Sequence, residues 1–254
     1  MDYDVIVIGA GMAGLTSAIY LARAFKSVLV LEGKVQGGQI VNTLNVENWP
    51  GSYKVSGLDL MKKIFEQALD LGAEVRFEEV VNVSKNGDLF TVVSDEEEYR
   101  TRAVIIAVGA EPRKLSELQT KYAGNRPISY CATCDGALYK GKPVVVVGSG
   151  NTAKDEIKYL EGICSKVYHI HHDEPIPEEA EAVFVAIGRV PSTGLFKDLV
   201  ELDSKGYVVA NEDCKTSCPG IFVAGDCRTK EVRQLVTASS DGAIAAEAAI
   251  KYLE

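Results

Sequence analysis

Val5-Ile6-Val7-Ile8-Gly9-Ala10-Gly11-Met12-Ala13-Gly14 decides the fold. Four consecutive apolar residues suit a strand buried on both faces of a parallel sheet. A helical stretch follows the glycines, from Leu15 to about Phe25. Val28-Leu29-Val30-Leu31 then reads as a second strand ending at Glu32, eighteen positions after Gly14. Strand, glycine turn, helix, strand and acidic residue in that order make a dinucleotide-binding unit. Glycine permits the tight turn and lets backbone N–H groups approach a pyrophosphate. The helix N-terminus supplies the positive end of its dipole, and Glu32 is spaced to hold a ribose.

Downstream, Gly57 to Leu71 has the pattern of an amphipathic helix. Alternating stretches follow at Val75-Phe77, Val80-Val83 and Phe90-Val93, with Asn86-Gly87 as a hairpin signal between the last two. Val104 to Gly109 and Pro219 to Asp226 read as further buried strands ending in glycine. An Ala-rich stretch from about Gln234 to Leu253 predicts a closing helix.

The opening pattern returns at Val144-Val145-Val146-Val147-Gly148-Ser149-Gly150-Asn151-Thr152-Ala153. A helix to about Leu160 and a strand at Val167-Tyr168-His169-Ile170 follow it. This repeat predicts an α/β fold in which a second Rossmann-like domain, residues 111–187, is inserted into a first, residues 1–110 and 188–254. The second copy then breaks off. Only Asp173 to Glu181 separate His172 from the apolar run Ala182 to Gly188, whereas one strand–helix–strand crossover needs roughly thirty residues. Gly148 and Gly150 then serve strand–helix packing rather than a nucleotide.

Between the two repeats lies Cys131-Ala132-Thr133-Cys134-Asp135. Two cysteines separated by two residues can close a disulfide and reopen it, and that geometry commonly lowers one thiol's pKa. Six cysteines in a chain of this length do not make a disulfide scaffold. Cys214 and Cys218 are distant from the first pair and carry an extra intervening residue, so no metal site is expected. Cys164 and Cys227 read as small buried or incidental thiols. His169, His171 and His172 read as strand-end residues.

A net charge of −9 excludes nucleic acid as a general partner. The charge is uneven, since from Arg113 to Lys166 nine Lys/Arg stand against five Asp/Glu. Such a local balance suits either an ordinary mixed surface or a docking face for an acidic protein. No apolar run of about eighteen residues predicts a membrane span. The N-terminus lacks a secretory pattern, which sets a cytoplasmic expectation.

Together these residues resemble the low-molecular-weight thioredoxin reductase family of flavoproteins. The resemblance covers nearly the whole chain: Gly9 to Gly14, Gly37-Gly38-Gln39, Glu47 to Gly51, Cys131 to Gly136, and Ala224-Gly225-Asp226 followed by Arg233-Gln234. It implies FAD in the first domain, held by Gly9, Gly11, Met12, Ala13, Gly14, Glu32, Gly33, Gly38, Gln39, Thr43, Asn48, Val80, Gly109, Asp226, Arg233, Gln234 and Leu235. It implies that Cys134 lies over the flavin, that Cys131 attacks the substrate disulfide, and that Asp135 exchanges protons beside them. A thioredoxin partner, a homodimer and a rotation between domains are further implications. The departure is as informative. Members using NADPH carry His-Arg-Arg at the end of the second strand, where this chain has His171-His172-Asp173. A 2′-phosphate needs a cation there. The chain therefore looks like the ferredoxin-dependent branch, with ferredoxin or another acidic one-electron carrier as the expected donor; the alternatives are an NAD(P)H-dependent thioredoxin-disulfide reductase and a non-catalytic FAD-binding redox sensor.

Overall fold

The structure, a computed structural model, describes residues 2–33, 37–171 and 174–254. In chain order the strands are β1 (Asp2–Ile8), β2 (Val28–Leu31), β3 (Glu74–Arg76), β4 (Val80–Asn86), β5 (Leu89–Ser94), β6 (Glu98–Ile106), β7 (Ala110–Pro112), β8 (Ile128–Ser129), β9 (Pro143–Val147), β10 (Lys166–Ile170), β11 (Val183–Val185), β12 (Arg189–Pro191) and β13 (Ile221–Val223). The helices are α1 (Met12–Arg23), α2 (Gly57–Asp70), α3 (Glu117–Ala123), α4 (Ala132–Asp135), α5 (Asn151–Glu161) and α6 (Leu235–Leu253). The chain forms two units, Met1–Glu111 with Pro191–Glu254, and Pro112–Val190. Among the described residues no helix is long and apolar enough to cross a membrane.

In the first unit the sheet runs β3-β2-β1-β6-β5-β4, with β13 also paired to β6. Both faces of β1 and β2 are covered. Val5, Val7, Val28 and Val30 pack with Leu15, Ala18 and Ala246 of α1 and α6. Ile6, Ile8, Leu29 and Leu31 pack with Phe196, Val200 and Val208 on the other side. Full burial of such side chains stabilises by about 1.5–3 kcal/mol each, which is why the continuous apolar runs become strands. β6 serves two partners. Phe90–Val93 pairs antiparallel with Glu98–Thr101, and Ile221–Val223 pairs parallel with Val104–Ile106. Its first half alternates between exposed and buried positions, and its second half is buried throughout. The apolar run therefore reveals only the second half.

Helix α1 starts at Met12, with Gly11 as its N-cap, three residues before the sequence-predicted start. The reason is steric. A Cβ on Gly14 would lie 1.8 Å from the Gly9 carbonyl oxygen, so the third glycine sits inside the first helical turn. Gly14→Ala is expected to cost several kcal/mol through backbone displacement, measured as a lowered urea midpoint for unfolding. An unchanged midpoint would show that the turn relaxes freely.

The second unit holds a parallel sheet ordered β10-β9-β11-β8. Helix α5 supplies the crossover from β9 to β10. The chain must then return across β9 to reach β11, and it has only residues 171–182 to do so. That is close to the dozen residues such a connection needs at minimum. Its described part, 174–182, contains no helix or strand, yet Ile176 and Ala180 are buried against Val145, Val183 and Val185. The connection thus closes one sheet face together with Leu115 and with Ala123 of α3. Helix α5 and Ala132 of α4 close the other, around Val144, Val146 and Phe184. His172 and Asp173 lie outside the described residues.

Candidate active site

The first unit gathers most of the sequence-predicted cofactor residues at the carboxyl ends of its parallel strands. Gly9 leaves β1 with φ +107°, and a Cβ there would meet the Ala107 carbonyl oxygen at 2.5 Å. Glycine is required. Gly11 faces open space, with nothing within 4 Å of an added Cβ, so its backbone is accessible to a ligand. Met12 and Ala13 are buried in the first turn of α1. Glu32 follows β2, and its Oε2 accepts the Ala10 N–H at 2.8 Å. That contact fixes one carboxylate oxygen beside the glycine turn.

Gly38 is at φ +69°, and a Cβ built on it would lie 3.4 Å from the Gly11 Cα. It caps a short 3-10 turn, Gln39–Asn42, from which Gln39 Nε2 donates to Ala110 O at 2.7 Å. The Thr43 carbonyl accepts the Gly57 N–H at 2.8 Å and so ties this segment to the start of α2. Asn48 Nδ2 donates to Gln234 Oε1 at 3.1 Å. Gln234 is the N-cap of α6, held by a capping box with Thr237, and Leu235 is the first helical residue. The Arg233 guanidinium stacks 4.4 Å from the Tyr207 ring and donates to the Asp226 carbonyl at 3.3 Å. A Cβ built on Gly33 would lie 2.7 Å from the Cα of Glu79, the residue before Val80. Gly109, at φ +65°, has open space at its Cβ position.

Beneath this cradle lies a buried charge cluster that sequence reasoning missed. Asp241 of α6 accepts Arg228 Nε and Nη2, both at 2.9 Å, and Lys230 Nζ at 2.7 Å. Its Oδ2 also accepts the Gly225 N–H at 2.9 Å. Gly225 is at φ +82°, with the Ala13 Cβ 3.0 Å from its Cβ position. Asp241 thus locks the Gly225-Asp226 turn against the start of α1. Arg228 is only 1% exposed. Burial alone pushes the Asp241 carboxyl up, but the hydrogen bonds from Arg228 and Lys230 bring it below its ordinary value. The one sequence signal was a polar run, Ser239-Ser240-Asp241, inside an otherwise Ala-rich helix. Cys227 is fully buried beside this turn, and burial pushes its thiol up to about 12. Cys214 is buried too and likewise stands at about 12. Neither is a nucleophile at neutral pH.

The second unit carries the sulfur pair. Cys131 and Cys134 form a disulfide across a single turn, with Cα atoms 5.3 Å apart. Cys131 is the N-cap of α4, and the Cys134 and Asp135 N–H groups donate to its carbonyl at 3.2 and 3.1 Å. Ser129 Oγ donates to Asp135 Oδ2 at 2.6 Å and accepts the Cys131 N–H at 3.1 Å. Ser129 therefore links the carboxylate to the cysteine turn, a role no sequence motif announces.

The second glycine turn repeats the first in shape. A Cβ on Gly148 would meet the Ala186 carbonyl oxygen at 2.3 Å, as Gly9 meets Ala107. Its carbonyl accepts from His169 Nε2 at 2.6 Å. Strand packing alone accounts for this glycine. At the end of β10, where the first unit has Glu32, the His171 N–H donates to Glu174 Oε2 at 3.1 Å. A carboxylate sits there.

Two dinucleotide-type folds in one chain, one of them carrying a redox disulfide, define a flavin- and nucleotide-type disulfide oxidoreductase. The family profile described as "Pyridine nucleotide-disulphide oxidoreductase" matches residues 3–179 and 173–242. A thioredoxin reductase of Bacillus subtilis is 38% identical over 300 positions, covering 99% of this chain and 95% of that protein. The crystal structure of thioredoxin reductase from Streptococcus pyogenes superposes with a TM-score of 0.91 at 33% identity, covering 99% and 98% of the two chains. A ferredoxin-flavin thioredoxin reductase from Clostridium acetobutylicum gives 0.64 at 28%, covering 100% and 98%. The chain belongs to the thioredoxin reductases of the pyridine nucleotide-disulphide oxidoreductase family.

The alignment with the Bacillus relative spans 300 positions against 254 residues here, so at least 46 hold no residue of this chain. The two profile matches meet at residues 173–179, inside the short connection from β10 to β11. The family cofactor is FAD, and the residues present fit it. The open Gly11 backbone, the anchored Glu32 carboxylate and the Asp226 turn suit a pyrophosphate, a ribose and a ribitol hydroxyl respectively.

Proposed function

We propose that the protein reduces the disulfide of a thioredoxin-like protein through FAD and the Cys131–Cys134 pair, with electrons delivered by ferredoxin. Bound FAD supplies the capacity to take electrons singly and pass them on in pairs. The chain's own residues do the rest. Gly9, Gly11, Glu32, Gly38 and Asp226 orient the cofactor, and the N-terminus of α6 at Gln234-Leu235 favours negative charge on its reduced ring. The cysteine pair breaks its S–S bond on reduction, and Cys131 then attacks the substrate disulfide. Asp135, tied to Ser129, handles a proton beside it.

The observation that carries the choice of donor is the connection from β10 to β11. It is twelve residues long, and residues 167–188 contain five Asp/Glu and no Lys or Arg. The Glu174 carboxylate bonds the strand-end backbone where a 2′-phosphate would need a cation. Such a surface repels a polyanionic nucleotide. The second unit's basic residues are concentrated between Arg113 and Lys166, where Lys114, Lys121, Lys140, Lys154 and Lys158 are exposed. That segregation suits an acidic protein partner. We also propose a homodimer and a rotation between units, which would let one disulfide serve both flavin and substrate.

A second reading, dependence on NAD(P)H, has one observation in its favour. The turn ahead of α5 is fully formed and leaves open space at Gly150. Calorimetric titration of the FAD-loaded protein with NADPH and NADH separates the two. The ferredoxin reading expects no binding below about millimolar, and a micromolar Kd for either nucleotide would overturn it.

A further inference from the structure

Glu156 lies in the middle of α5, on the side that packs against the cysteine turn. Ala132, the residue after Cys131, is 1% exposed and clusters with Ala153 and Leu160 of α5. One Glu156 oxygen accepts the Ala132 N–H. The other, Oε2, is buried and has no hydrogen-bond partner among the described residues. The charged group facing it from a neighbouring element is Arg189 of β12, while Cys131 caps α4 and Cys134 and Asp135 lie in it. Burial pushes the Glu156 carboxyl up, and the Ala132 N–H and Arg189 oppose that without cancelling it. A buried carboxyl oxygen left without a partner is costly and calls for a role. A structural anchor for α4 would need only the oxygen already bonded to Ala132.

We propose that Glu156 is a second proton carrier for the Cys131–Cys134 pair, working opposite Asp135. This rests on the reductase reading above but not on the identity of the donor. Reduction breaks one S–S bond, takes up two electrons from the flavin and leaves two sulfurs that need two protons. The Glu156 carboxyl gives its proton to one sulfur and is reprotonated from solvent, and Asp135 or water serves the other. When the pair reduces a substrate disulfide, both electrons and both protons leave with the substrate's two thiols.

Titration of the Glu156 side-chain carboxyl by 13C NMR tests this on the unaltered FAD-loaded protein, with the disulfide closed and then opened by dithiothreitol. The carboxyl pKa is expected to rise by about one unit or more on opening, because a nearby sulfur anion favours the protonated acid. Equal pKa values in the two states would overturn the proposal. Glu156→Gln keeps an acceptor for the Ala132 N–H and removes the acid. In the reduced variant, iodoacetamide alkylation near pH 6 should run on the order of tenfold faster, since losing the neighbouring negative charge lowers the thiol pKa. An alkylation profile matching the unaltered protein would reduce Glu156 to an anchor. Neither readout involves ferredoxin or turnover, so failure of the reductase reading shows separately, as lost thioredoxin reduction.

Discussion

Cys134→Ser is expected to leave a folded protein that still carries FAD while lowering reduction of a thioredoxin-like disulfide by at least about a thousandfold. The size of the loss follows from chemistry. One sulfur cannot close a disulfide, so there is no route for an electron pair from flavin to substrate. The variant should nevertheless fold. Cys134 is exposed in α4, and serine is nearly isosteric there. Of the four free cysteines, Cys214 and Cys227 offer no substitute, because both are buried with thiols near 12. Turnover assayed beside the flavin absorbance checks both halves. Retained turnover would remove the cysteine pair from the electron path.

Asp241→Asn should act in the opposite way, on stability and cofactor retention rather than on the sulfur chemistry. The change keeps the side chain's shape but leaves the positive charges of Arg228 and Lys230 facing a neutral amide in a site where all three side chains are at most 5% exposed. Breaking one partner of a buried pair costs about 3–5 kcal/mol. It also weakens the acceptor for the Gly225 N–H, so the Asp226 turn should loosen and FAD should be lost on gel filtration. The pH dependence has a definite sign. Asp241 has a folded pKa below its unfolded value, so its contribution is present above about pH 4 and is lost as pH falls through the folded pKa. Urea midpoints of the unaltered protein and the variant should therefore converge on acidification below pH 4. Parallel midpoints across that range would place the stabilising charge elsewhere.

What the sequence made legible was whatever repeats locally. The β1 glycine turn and α1 are contiguous, so period and spacing expose them. The shortened second unit is visible as a missing stretch after Ile170. Boundaries suffered where one element serves two environments, as in β6, half alternating and half fully buried. The hairpin was found from Asn86-Gly87, but Asn86 pairs with Leu89, and the turn is Gly87-Asp88. Long-range polar contacts left almost no trace. Arg228 and Asp241 are thirteen residues apart, on a loop and a helix, and nothing periodic joins them. Glu156 looks in sequence like any acidic residue on the polar face of an amphipathic helix. Only the packing of α4 on α5 buries it.

We propose that the flavin and the sulfur pair of this chain work together without a nicotinamide nucleotide. Anaerobic titration of the FAD-loaded protein, once with reduced ferredoxin and once with NADPH, tests it most directly when flavin absorbance and free thiols are followed together. The expected result is bleaching of the flavin and release of two thiols with ferredoxin, and neither with NADPH. Prompt bleaching and thiol release with stoichiometric NADPH would contradict it.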